Sequence, residues 1–115
     1  MKTPTVPEKV IENQILTYLW FKKIFAWKNT SGGYFDTKLG AFKKQRSKFA
    51  INGTSDILGI LPGGRMLAIE VKSKTGKASQ EQHDFINKIN LSGGLAFIAR
   101  SIDDVDQNLF NKKEV

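Results

Sequence analysis

Cysteine is absent from the 115-residue chain, which excludes disulfides and thiolate-bound metals and fits a cytosolic setting. Histidine occurs once, as His83. Imidazole-based metal sites recruit more than one histidine, so a histidine-metal nuclease is disfavoured and His83 reads as a surface residue of a helix. No apolar run is long enough to suggest a membrane span, and the opening MKTPTVPEK lacks the apolar segment of a secretory signal. Without a G-x-x-x-x-G-K-[ST] run, a Walker-type nucleotide hydrolase is excluded. Acidic residues are in the minority, 11 against 18 Lys and Arg, for a formal charge of +7 and a pI near 9.7. That balance points to a polyanionic partner.

Hydrophobic residues make up 40% of the chain, enough for one real core, and the length suits a single domain over 1–115. The most informative stretch is 53–72, GTSDILGILPGGRMLAIEVK. Two short apolar runs flank a Pro-Gly-Gly turn and read as paired antiparallel strands. Alternation puts Leu67, Ile69 and Val71 on one face, expected to be core, and Met66, Ala68, Glu70 and Lys72 on the other, with chemistry at its far end. A two-residue loop of Gly63 and Gly64 would turn Asp56 away from Glu70; a three-residue loop that includes Pro62 would bring them opposite. The residue types favour the longer loop, with Pro62 opening a type I turn and a left-handed Gly closing it.

Upstream, the pattern predicts a helix over 8–25. Thr5 and Glu8 form a capping-box pattern, Pro7 lies in the first turn, and Ile11, Ile15, Tyr18 and Leu19 recur at helical spacing. Glu12 sits at the edge of that stripe, where periodicity alone makes it a solvated carboxylate. A short strand follows at 25–29, then an irregular Gly-rich loop over 30–52. That loop interleaves Tyr34, Phe35, Phe42 and Phe49 with Lys43, Lys44, Arg46 and Lys48. Such a mixture suits phosphate contacts and base stacking, or else a solvated loop whose aromatics are pinned to the core.

Downstream, 73–78 reads as a flexible basic connection that adds Lys74 and Lys77 to the candidate DNA-binding residues. Ser79 caps a helix with Phe85, Ile86 and Ile89 on its apolar face, stopped by Gly93 and Gly94. Residues 95–99 form an apolar strand, Ser101 and Asp104 restart a helix to about Phe110, and 111–115 are expected to fray. The order is α-β-loop-β-β-α-β-α, an α/β arrangement about a mixed sheet, since the middle helix can cross over to a parallel strand.

Two nearby carboxylates repel unless a cation neutralises them, and an all-oxygen site suits Mg²⁺ or Mn²⁺. A lysine two residues beyond one ligand can orient water or offset charge on a phosphate, so metal-assisted phosphodiester hydrolysis follows. The bland counterpart is an ion pair at a strand end.

At these residues the chain resembles the PD-(D/E)XK nuclease superfamily, and within it the VRR-NUC (virus-type replication-repair nuclease) domains of the small stand-alone phage and bacterial kind. The matching features are IENQ on the first helix, the Gly-x-x-Asp of GTSDIL, IEVK, and ASQEQ opening the next helix. The resemblance implies a restriction-endonuclease-like αβββαβ core with a mixed sheet flanked by helices. It makes Asp56 and Glu70 metal ligands with the Val71 carbonyl as a third, Lys72 the residue that positions water, Glu12 the accessory carboxylate, and Gln82 the motif glutamine, with Gln80 competing. Ser55 departs from the pattern, since proline commonly precedes the aspartate. The implied activity is structure-selective cleavage of DNA, foremost four-way junctions, then flaps or nicked duplexes, by a cytoplasmic homodimer in a bacterial or phage-infected cell. Trp20, Phe21 and Phe25 exceed what one helix stripe can bury and are candidate contacts for the second copy. An RNA nuclease and a non-catalytic DNA-binding module stay open as alternatives.

Overall fold

The structure, a computed structural model, describes residues 4–30, 33–44 and 47–110. Arg46 and the tail 111–115 lie outside the described residues. In chain order the elements are α1 (Glu8–Phe21), β1 (Phe25–Lys28), β2 (Gly33–Asp36), β3 (Ala41–Lys44), β4 (Ile57–Ile60), β5 (Met66–Val71), α2 (Gln80–Leu91), β6 (Leu95–Ala99) and α3 (Ile102–Leu109). Four strands form one mixed sheet in the order β1-β4-β5-β6. The first three are antiparallel, and β6 runs parallel to β5 after the α2 crossover. The expected αβββαβ order is present, with α3 appended. No helix among the described residues is long and apolar enough to cross a membrane.

Both faces of the sheet are covered at its centre, which is why β5 is buried from Leu67 to Val71. On one face Ile11, Ile15 and Leu19 of α1 and Val105 of α3 pack on Ile57, Leu67, Ile69, Val71 and Phe97. On the other, Phe85 and Ile86 of α2 pack on Ala68 and Ala96. The expectation of a single core face is thereby corrected: the face that carries Glu70 is closed by α2, and chemistry is confined to its end. Each fully buried aliphatic side chain contributes about 1.5–3 kcal/mol through removal from water.

The first helix is shorter than its pattern predicts. It stops at Phe21, and Lys23 adopts φ 61°, which reverses the chain and delivers Ile24 to the core. The apolar stripe is complete at Leu19, so Trp20 and Phe21 pack edge to face on each other and stay exposed at 75% and 71%. The Thr5 and Glu8 capping box is not the cap used. Pro7 occupies the N-cap without a side-chain bond, its carbonyl accepting from Val10 and Ile11.

The expected structureless loop over 30–52 contains a hairpin of its own. β2 and β3 pair antiparallel as a separate two-stranded sheet. Its turn is closed by Asp36, whose Oδ1 accepts from the Lys38 and Leu39 nitrogens while its carbonyl accepts from Gly40. Gly40 has φ 62°, a conformation glycine adopts without penalty.

Candidate functional site

The ends of β4 and β5 carry the site. The ladder pairs Ile57 with Ile69 and Ile60 with Met66, a register that, continued one residue, sets Asp56 opposite Glu70. A three-residue loop produces it. Leu61 N donates to Arg65 O at 2.8 Å, and Gly64 N donates to Leu61 O at 2.9 Å, leaving Pro62, Gly63 and Gly64 between. Gly63 has φ 93°, so the turn is type II and not the expected type I.

Glu70 is the buried member of the pair, 2% exposed. Its Oε2 accepts from Gln82 Nε2 at 3.1 Å and lies 3.9 Å from Lys72 Nζ. Its Oε1 is enclosed and meets no donor among the described residues; with the Asp56 carboxylate it can bond only by sharing a proton. Burial, then the hydrogen bond and charge of the Asp56 carboxylate, push Glu70 up to about 8; Glu8 adds to this and Lys72 opposes it. Asp56 is fixed by two neighbours, Val71 and Asn29. Its Oδ2 accepts from Val71 N at 2.8 Å, its carbonyl accepts from Asn29 N at 2.7 Å, and Asn29 Nδ2 donates to Ser55 O and Thr54 Oγ1, each at 3.1 Å.

Gln82 and Gln80 separate clearly. Gln82 forms a capping box with Ser79, its nitrogen donating to Ser79 Oγ and its Oε1 accepting from Ser79 N. That leaves Nε2 for Glu70. Gln80 instead donates to Asp84 on the exposed side of the helix, and His83 is exposed, as expected. Gly53 permits the approach of α2: it has φ 77°, and a Cβ there would lie 2.4 Å from the Glu81 carbonyl carbon.

On the α1 side Glu12 is 7% exposed and ion-paired at 3.2 Å with Lys28. The solvated-carboxylate reading is overturned by that burial. An open cavity of about 440 Å³ is lined by Glu12, Lys28, Asn29, Asp56, Val71 and Glu8. Glu8 Oε2 lies beside Gly76, 3.2 Å from where a Cβ would stand, with the Lys72 stem close by at 3.5 Å. The connection 73–78 is not loose: Arg100 Nη1 donates to the carbonyls of Ser73 at 2.6 Å and Gly76 at 2.7 Å.

Of the candidate DNA-contact residues, Lys48, Lys74 and Lys77 are exposed and Lys43 and Lys44 fall on β3. Lys48 Nζ lies 5.2 Å from the Phe49 ring. Phe49 is 80% exposed, so it is not pinned to the core.

Among the described residues no three His, Asp or Glu side chains gather into a ready metal cage. Two carboxylates converge, Asp56 and Glu70, with Val71 beside them. Facing carboxylates need a proton or a cation between them: without an ion the proton on Glu70 bridges the pair, and an ion would take that proton's place. The set fits a hard divalent ion that keeps several waters, such as Mg²⁺.

Lys28, Asn29, Glu8 and Arg100 escaped the sequence reading. Glu8 and Glu12 share a helix face at i, i+4, a signal that could have found Glu8. The others depend on long-range contacts with no local signature. In comparisons with known proteins, no family model matches the chain and no curated protein matches it significantly.

Proposed function

We propose that this chain is a divalent-metal-dependent DNA endonuclease of the VRR-NUC type, acting in the cytoplasm of a bacterial or phage-infected cell. The observation that carries the reading is the buried, orphaned Glu70 Oε1 beside Asp56, with Lys72 and Gln82 on the same carboxylate. A structural ion pair has no use for a second carboxylate pressed against the first.

Asp56, Glu70 and the Val71 carbonyl would hold Mg²⁺ or Mn²⁺. When bound, the ion would acidify water and stabilise charge on the scissile phosphate. Gln82 holds Glu70 in one rotamer, and the Val71 nitrogen does the same for Asp56. Lys72, two residues beyond Glu70 and on the same strand face, orients the attacking water and offsets charge on the phosphate. Lys43, Lys44, Arg46, Lys48, Lys74 and Lys77 supply phosphate contacts and therefore affinity.

A four-way junction is the substrate class proposed first, cut by a homodimer whose two-fold axis matches that of the junction. Exposure of Trp20, Phe21 and Phe25, at 75%, 71% and 67%, supports a second copy, since a patch of this kind is unusual on a monomer. The test is cleavage of labelled junction, flap, nicked duplex and single-stranded DNA, and of RNA, with Mg²⁺, Mn²⁺ or EDTA. Light scattering with and without junction runs alongside. Cleavage in EDTA, or full activity in Glu70→Ala, refutes the mechanism; a monomer under both conditions removes the paired-cut scheme.

A further inference from the structure

Glu12 raises a question that its burial makes sharp. It is 7% exposed, the buried carboxylate that α1 contributes to the cavity that Asp56 also lines. A second divalent ion would need ligands there, because paired ions in phosphodiester-cleaving sites sit about 3.5–4 Å apart and draw on carboxylates from both sides. Glu12 is already answered by the Lys28 ammonium at 3.2 Å. No third acid joins Asp56 and Glu70 within a metal-sized cluster among the described residues.

The Lys28 side chain is 50% exposed, so the ammonium meets the buried carboxylate and still presents protons to the cavity. An ammonium has three donors, and one carboxylate oxygen does not use them all. The strand fixes its position: Lys28 pairs with Ile57, next to Asp56, and Asn29 is bonded to the Asp56 carbonyl. Lys28 is thus anchored to the backbone that presents Asp56.

We propose that Lys28 is a built-in second cation of the site. It neutralises Glu12, restricts the centre to one divalent ion, and turns its free protons toward a phosphate oxygen of the bound strand. This rests on the metal-centre reading above and changes one part of it: Glu12 is held by an ammonium and is not a ligand of the ion.

Ion stoichiometry tests this without reference to cleavage. Mn²⁺ uptake is measured by calorimetry and by the spin resonance of free Mn²⁺, with circular dichroism to verify folding. The wild-type chain and Lys28→Arg are expected to take up one ion. Lys28→Ala and Lys28→Gln are expected to take up two, the second lost again when Glu12→Gln is added. Gln keeps a hydrogen-bond donor for the buried carboxylate, so it serves if the Ala variant fails to fold. Two ions in the wild type, or one ion in both neutral variants, overturns the role of Lys28 while leaving the metal centre standing. No Mn²⁺ uptake by the wild type overturns the metal centre and this inference together.

Discussion

Gln82 donates to Glu70 at 3.1 Å while its own Oε1 accepts from the Ser79 nitrogen at 2.9 Å, so one side chain ties the start of α2 to the buried carboxylate. Gln82→Ala should therefore lose two things at once. Loss of the cap interaction should cost about 1 kcal/mol in urea denaturation. Mn²⁺ affinity should fall roughly tenfold as Glu70 loses its orienting partner. Gln80→Ala should do neither. Equal Mn²⁺ affinity in the two variants would reduce Gln82 to a helix cap.

Glu70 makes the metal-free protein pH-sensitive in a defined direction. Its pKa is raised from 4.5 to about 8, so the folded chain keeps a proton that the unfolded chain sheds. Stability from this group is full below about 4.5 and is lost as pH climbs through about 8. Melting in EDTA should show wild-type Tm falling across that window relative to Glu70→Gln, which cannot ionise. The same proton must leave when an ion binds, so Mn²⁺ affinity should rise about tenfold per pH unit until pH 8. Parallel melting curves for the two proteins would contradict the shift.

Ser55 is 1% exposed and its Oγ has no hydrogen-bond partner among the described residues. Burying an unsatisfied hydroxyl costs about 1–3 kcal/mol. Ser55→Ala should raise the urea midpoint, by about 1 kcal/mol of stability, with no change in the slope of the transition. A destabilised variant would reveal a bond this side chain makes in solution.

Neutralising Lys43, Lys44, Arg46 and Lys48 together should weaken DNA binding across sequences. The slope of log K against log salt should flatten by roughly one unit per lost phosphate contact. Measured in Ca²⁺, which lets binding be followed without relying on turnover, an unchanged slope would reassign these residues to a structural role.

The convergence of Asp56 and Glu70 was legible because it depends on two local rules: alternation along a strand, and a loop length set by Pro62, Gly63 and Gly64. The order of elements about the sheet was legible for a similar reason, since α2 and its Ser79 cap have strong local signatures. The turn type was not, because Pro62 suits both type I and type II and only the φ of Gly63 decides. Gln82 could not be told from Gln80 until the capping box oriented it. The Lys28 and Glu12 pair depends on β1 folding back along α1 after the reversal at Lys23, a contact no periodicity encodes. The hairpin over 33–44 was missed because glycines and aromatics masked its alternation, although Asp36 and Gly40 are a recognisable turn pair.

Arg100 brings the order of synthesis into view. Every side chain proposed to act on DNA has left the ribosome by the time Gln82 emerges. The strand that receives the Lys72 nitrogen at Ala99, and the guanidinium that gathers the carbonyls of Ser73 and Gly76, come later. A chain ended at Gly94 would carry Glu12, Asp56, Glu70, Lys72 and Gln82 and is expected to take up no Mn²⁺. Order of synthesis thereby sets the order of assembly: a chain that has not yet reached β6 and Arg100 holds the carboxylates, Lys72 and Gln82 but lacks the strand and the guanidinium that fix the segment after Lys72.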